Sequence, residues 1–189
     1  MKFSEWDKEK YVHDFICENI RYDKLKKPYS HEIIGPLGHG VGVCEGIAKS
    51  VKVLCDALGV WCIIAICGNN PEKGIKYRHT WNIVRINGQY YHLDATFDNT
   101  LGKNEDGSTS IRYDYFNLDD KNIFRDHEPL IAPAPPCRME TTFITVRKSY
   151  PSPNWKTYTN VPSRPQKKAA NSPSTGEADI SPVKSSQTL

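Results

Sequence analysis

The chain of 189 residues contains no hydrophobic run longer than eight residues, at 60–67, whereas a membrane-spanning helix needs about 20. No membrane span or membrane partner is expected. The first 128 residues lack a basic surplus, with 17 Lys and Arg against 19 Asp and Glu, so a nucleic-acid partner is not expected either. The first seven residues, Met-Lys-Phe-Ser-Glu-Trp-Asp, have no apolar core of a secretory leader, which predicts a cytoplasmic protein. In that setting the six cysteines are expected as free thiols, most of them small buried hydrophobes. No Cys-x-x-Cys or His-x-x-x-His pair occurs, and structural zinc normally shows such pairing. No EF-hand loop is present. Neither a metal nor a cofactor is expected.

Proline is scarce until residue 129: ten of the 13 prolines lie at 129–189, where 8 Lys and Arg also face only 3 Asp and Glu. The overall charge of +3 is therefore a property of this last part. The composition predicts a folded body over residues 1–128 and a Pro/Ser/Lys-rich, largely disordered tail over 129–189, with a weakly alternating segment at 141–146 that could add an edge strand.

Ser4-Glu5-Trp6-Asp7 has the form of a capping box, and Val12, Phe15, Ile16 and Ile20 recur at helical spacing after it, so a helix is expected to about residue 21. Residues 22–42 are loop-like, with Pro28, Pro36 and four glycines. A second helix is expected over 44–58, its apolar face carrying Ile47, Val51, Leu54, Cys55 and Leu58, and Gly59 ending it. Residues 60–67 predict a buried strand in which Cys62 and Cys67, an odd number apart, point to opposite faces. Runs at 77–86 and 89–97 flank Asn87-Gly88, the favoured pair of a tight hairpin turn. Helices followed by strands predict an α+β fold.

Three segments carry chemistry. In Gly42-Val43-Cys44-Glu45-Gly46-Ile47-Ala48, a glycine-rich loop runs into a helix with Cys44 in its first turn. Unpaired backbone N–H groups and the positive helix end favour a thiolate there. The other two segments, Arg78-His79-Thr80-Trp81-Asn82 and His92-Leu93-Asp94-Ala95-Thr96, lie on the two arms of the hairpin. A turn centred on residues 87 and 88 makes facing residues sum to 175, so His79 faces Thr96. Asp94 and Asp98 are then both diagonal neighbours that could orient the imidazole, and register does not choose between them.

The blocks at 42–48, 79–84 (His-Thr-Trp-Asn-Ile-Val) and 90–98 (Tyr-Tyr-His-Leu-Asp-Ala-Thr-Phe-Asp) resemble the three signature blocks of the transglutaminase-like superfamily, in its short bacterial members. Tyr29-Ser30-His31 with Gly35, and Tyr115-Phe116-Asn117 with Asp126-His127, extend the resemblance over residues 8–128. It implies a papain-like fold, in which a Cys-bearing helix packs on an antiparallel sheet carrying His and Asp. It implies Cys44 as nucleophile, His79 as general base and acid, and Asp94 as the residue orienting His79. The implied reaction is acyl transfer from a protein or peptide amide to water or an amine, through a thioester. Hydrolysis is the leading expectation; the alternatives are cross-linking of glutamine to lysine, and a non-catalytic binding module. The Cys44 N–H is the first expected oxyanion donor. Relatives often use a Gln or Trp upstream of the cysteine as the second, and neither occurs at 22–43. Tyr29, His31 and His39 are the candidates in its place, and Trp81 is expected as a wall of the site.

Overall fold

The computed structural model describes residues 3–101 and 111–138. Helix α1 (Glu5–Asn19) opens with the expected capping box: Ser4 Oγ accepts from the Asp7 N–H at 3.1 Å, and the Asp7 carboxylate accepts from the Ser4 N–H at 3.0 Å. Helix α2 (Cys44–Leu58) ends at Gly59, whose φ of 73° suits a residue without a Cβ. Between the helices, β1 (Arg21–Tyr22) pairs in parallel with β2 (Val41–Gly42), around a 3₁₀ turn at Pro28–His31 and a π-helical turn at Ile34–His39.

The main sheet runs β3 (Trp61–Ile66), β4 (Thr80–Ile86), β5 (Gln89–Leu93) and β6 (Phe116–Leu118), in that order and antiparallel throughout. The hairpin has the expected register, from Ile86 opposite Gln89 to Asn82 opposite Leu93, with Asn87 and Gly88 at φ of 51° and 83°. One sheet face meets the helices: Cys62, Val84, Ile86, Tyr91 and Leu93 pack with Val12, Ile16, Ile47, Val51 and Cys55. The opposite face buries Ala65, Cys67, Trp81 and Ile83 against Ile123 and Cys137. Cys62 and Cys67 thus occupy opposite faces. The fold is α+β, helices on an antiparallel sheet, as expected.

One local expectation gives way. The second hairpin arm stops at Leu93, and residues Ala95–Leu101 form helix α3. The cause is Asp94, whose Oδ1 accepts the backbone N–H groups of Thr96 (2.9 Å) and Phe97 (3.0 Å), as a helix cap does. Thr96 is therefore not a strand partner of His79. Residues 113–124 supply β6 and helix α4 (Asp120–Ile123), capped by Asp119. Packed chain also continues past residue 128. Leu130 bridges to Cys67, Ile131 donates to the Ile66 carbonyl, and the Cys137 backbone pairs with Asp120. The segment 141–146 and the rest of the tail lie outside the described residues. Among the described residues, no helix is long and apolar enough to cross a membrane.

Candidate active site

Cys44 is the first residue of α2, and Val43 before it provides no side-chain cap. The first-turn N–H groups are therefore left open beside the thiol. The second glycine of the cysteine block has a steric reason: a Cβ on Gly46 would lie 2.2 Å from the Ser30 carbonyl oxygen. That close approach lets the 3₁₀ turn lie against α2, where the Val43 N–H donates to the same carbonyl at 3.0 Å. Cys44 is half-buried, whereas Cys55, Cys62, Cys67 and Cys137 are buried. A hydrogen bond with Cys62 and burial push the Cys55 thiol far up, and burial pushes Cys137 up to about 12, so both are inert packing thiols.

His79 stands one residue ahead of β4. Its Nε2 lies 2.5 Å from Asp94 Oδ2, and Asp94 is fully buried. Burial alone would favour the neutral ring, but the Asp94 charge and hydrogen bond, with a hydrogen bond to Cys44, raise the His79 pKa to about 10. With Nε2 taken by Asp94, Nδ1 is the ring nitrogen left for a second partner. Burial works against the Asp94 carboxylate too. The His79 charge and the bonds from His127 and His79 overcome it and hold Asp94 down at about 2. The structure thus joins His79 to Asp94, and the Cys44 thiol bears on the His79 ring electrostatically. The contact comes from a cap residue at a strand-to-helix junction, not from diagonal strand neighbours. Asp98 serves elsewhere: it accepts from the Asp114 and Tyr115 N–H groups and lies 3.0 Å from His13 Nε2.

The other expected site residues divide. Trp81 is 1% exposed and donates its indole N–H to His92 Nδ1 at 2.9 Å. Its ring stacks on His79 with centroids 5.7 Å apart. It backs His79 from within and offers no wall to a substrate. His31 is drawn to the helix surface by Glu45, 3.1 Å away. Tyr29 and His39 pack ring to ring at 4.8 Å.

One side chain outside the expected set, His127, joins the site, and another, Tyr22, feels its charge. Tyr22, beside Gly42 in the β1–β2 pair, has its hydroxyl pKa raised by burial and then by the charges of Cys44 and Asp23. His127 is buried, with Nε2 2.9 Å from the same Asp94 oxygen that His79 uses. A Tyr-Asp pair ahead of a loop and a single Asp-His pair are weak signals alone, which is why spacing did not find them.

Among the described residues, two groups have ligand atoms close enough for a metal: His79, Asp94 and His127, and His92, Asp120 and Cys137, each within 4.8 Å. In the second, Trp81 occupies the His92 Nδ1 lone pair, so Nε2 carries the proton and donates to Asp120 at 2.9 Å. That tautomer has no lone pair for a metal. In the first, both Nε2 atoms already donate to Asp94.

The model of the transglutaminase-like superfamily matches residues 2–95, which hold Cys44, His79 and Asp94. This part of the chain belongs to the transglutaminase-like superfamily. Among solved structures it is similar to a TGase, at 15% identity over 50% of this chain and 27% of that one, with a TM-score of 0.43. It is also similar to a provisionally named cysteine protease from Cytophaga hutchinsonii, at 22% identity over 47% and 30%, TM-score 0.39. A provisionally named protease from Parabacteroides distasonis gives 18% over 50% and 21%, TM-score 0.40. The chain thus spans less than a third of each of these structures. No curated protein matches it. Members of the transglutaminase-like superfamily are typically enzymes, proteases or transglutaminases.

Proposed function

We propose that the protein is a cysteine-dependent acyl-transfer enzyme that hydrolyses amide or peptide bonds through a thioester. The observation that carries this reading is the His79 imidazole, held by a buried carboxylate on Nε2 and free on Nδ1 to serve Cys44. Cys44 thiolate attacks the carbonyl carbon, the C–S bond forms, and the carbonyl electron pair moves to oxygen. The Cys44 N–H stabilises that oxyanion. Collapse breaks the C–N bond as the His79 Nδ1 proton passes to the leaving amine. Water then attacks the thioester, gives a proton to His79, and releases the acid and the thiolate.

Charge supports water over a lysine side chain as acceptor. Lys26 Nζ lies 4.0 Å over the Tyr77 ring, joining the loop after β1 to the segment that leads into His79. Lys24, Lys27, Lys76 and Arg78 are exposed in the same two segments, so an ammonium acceptor approaches against like charge. The test pairs a glutamine-containing casein and a degenerate peptide pool with a labelled amine. Release of ammonia or new peptide ends, lost in Cys44→Ala, is expected. Amine incorporation outpacing hydrolysis would replace the hydrolase with a transglutaminase.

A further inference from the structure

The Asp126-His127 pair has no part in the mechanism above, yet it reaches the centre of the site. His127 Nε2 lies 2.9 Å from Asp94 Oδ2, and His127 Nδ1 lies 2.7 Å from Asp126 Oδ1. The Tyr115 hydroxyl donates to the other Asp126 oxygen at 2.5 Å. His127 is enclosed by the rings of Trp81, Phe97, Tyr115 and His79, with centroids 4.6–5.6 Å away. The ionised Asp94 carboxylate only accepts hydrogen bonds, so His127 Nε2 donates to it. His79, Asp94, His127, Asp126 and Tyr115 then form one continuous hydrogen-bonded chain.

We propose that His127 is a positioning residue for the Cys44–His79 pair: it turns Asp94 Oδ2 toward His79 and divides that oxygen's charge between two imidazoles. The proposal rests on the reading of His79 as general acid and base. Asp94 Oδ1 is already fixed by two backbone N–H groups, so His127 acts on the other oxygen, the one that sets how tightly His79 holds its proton. A carboxylate with a single imidazole partner would bind the His79 proton more firmly, and a more weakly acidic His79 protonates the leaving amine more slowly. Among the described residues, the charged and titratable groups around His79 and His127 are Cys44 from α2, His92 from β5, Asp94 and Asp98 from the β5–α3 segment, and Tyr115 and Asp126 from the chain between α3 and α4 and just beyond it.

The test uses the full chain with ¹⁵N-labelled histidines, His79 being assigned through a His79→Gln variant. In His127→Phe, which keeps an aromatic ring but removes the donor, the His79 titration is expected to move to higher pH. Turnover of a peptide found in the pool should fall about 10- to 100-fold, with KM within about two-fold, as expected for a small misplacement of a reacting group. In His127→Gln, which returns an N–H near the Nε2 position, the titration and most of the turnover should be recovered. A His79 titration unmoved in His127→Phe would overturn the proposal, as would a loss in His127→Phe that His127→Gln fails to recover although both variants melt cooperatively. The titration needs no substrate. An enzyme with no Cys44-dependent turnover would therefore defeat the functional reading while still leaving the His127–His79 coupling to be decided on its own.

Discussion

Replacing Asp94 by Asn isolates the carboxylate that the site is built around. Four N–H groups converge on it: Thr96 and Phe97 on Oδ1, His79 and His127 on Oδ2. A carboxamide has one oxygen and one NH₂ group. If its oxygen faces the two imidazoles, its NH₂ faces two backbone donors; if it flips, the NH₂ faces the imidazoles. Either way two of the four donors lose their acceptor in a fully buried place, at about 1–3 kcal/mol each. The expected destabilisation is about 2–6 kcal/mol, in the range for breaking a buried charge pair. The imidazole also loses the partner that raises its pKa to about 10. The sign of the linkage follows. A raised histidine pKa stabilises the fold fully below about 6.5 and ceases to do so as pH rises through about 10. The stability gap between wild type and Asp94→Asn should therefore narrow at high pH, and turnover should fall about 10³–10⁴-fold at neutral pH. Urea denaturation at several pH values and the rate of Cys44 alkylation measure both. A loss below about 1 kcal/mol with an unchanged pH dependence of alkylation would refute the reasoning.

Three further outcomes are expected. Asp98→Asn, which disturbs the His13 contact and two backbone donors, should destabilise the fold by about 1–3 kcal/mol but leave the pH dependence of Cys44 alkylation in place; urea melts with alkylation profiles separate the two effects. Glu9 is buried, and burial raises its pKa to about 8 despite the Asn117 bond. Its folded form keeps a proton that the unfolded form releases, so its contribution weakens the fold as pH climbs from about 4.5 to 8. Glu9→Gln should therefore be close to neutral near pH 4.5 and stabilising near pH 8, by at most about 5 kcal/mol, as read from thermal melts at both pH values. Finally, Cys44→Ala should remove turnover while changing the melting temperature little, because Cys44 is half-buried at a helix start.

Local signals with local causes were legible in the sequence. Ser4 and Asp7 form their capping box, Gly59 stops α2, and Asn87-Gly88 sets the hairpin register. What the sequence concealed depends on tertiary choices. Asp94-Ala95-Thr96 reads as a continuing strand because its alternation is intact, but an aspartate with open N–H groups two and three residues on can start a helix instead. The strand model left Asp94 and Asp98 equivalent; the cap gives them different partners. Trp81 looks like a site wall in a motif and proves to be floor, because β4 is covered on both faces. His127 was visible only as part of a resemblance, since its link to Asp94 spans 33 residues of sequence.

The central claim is that Cys44 is a nucleophile activated by His79. Alkylation of the intact chain with iodoacetamide, mapped cysteine by cysteine by mass spectrometry in wild type and His79→Ala, tests it most directly. The account predicts that Cys44 reacts far faster than Cys55 near neutral pH, and that this advantage collapses in His79→Ala. Cys44 reacting no faster than Cys55, or equally fast with and without His79, would contradict it.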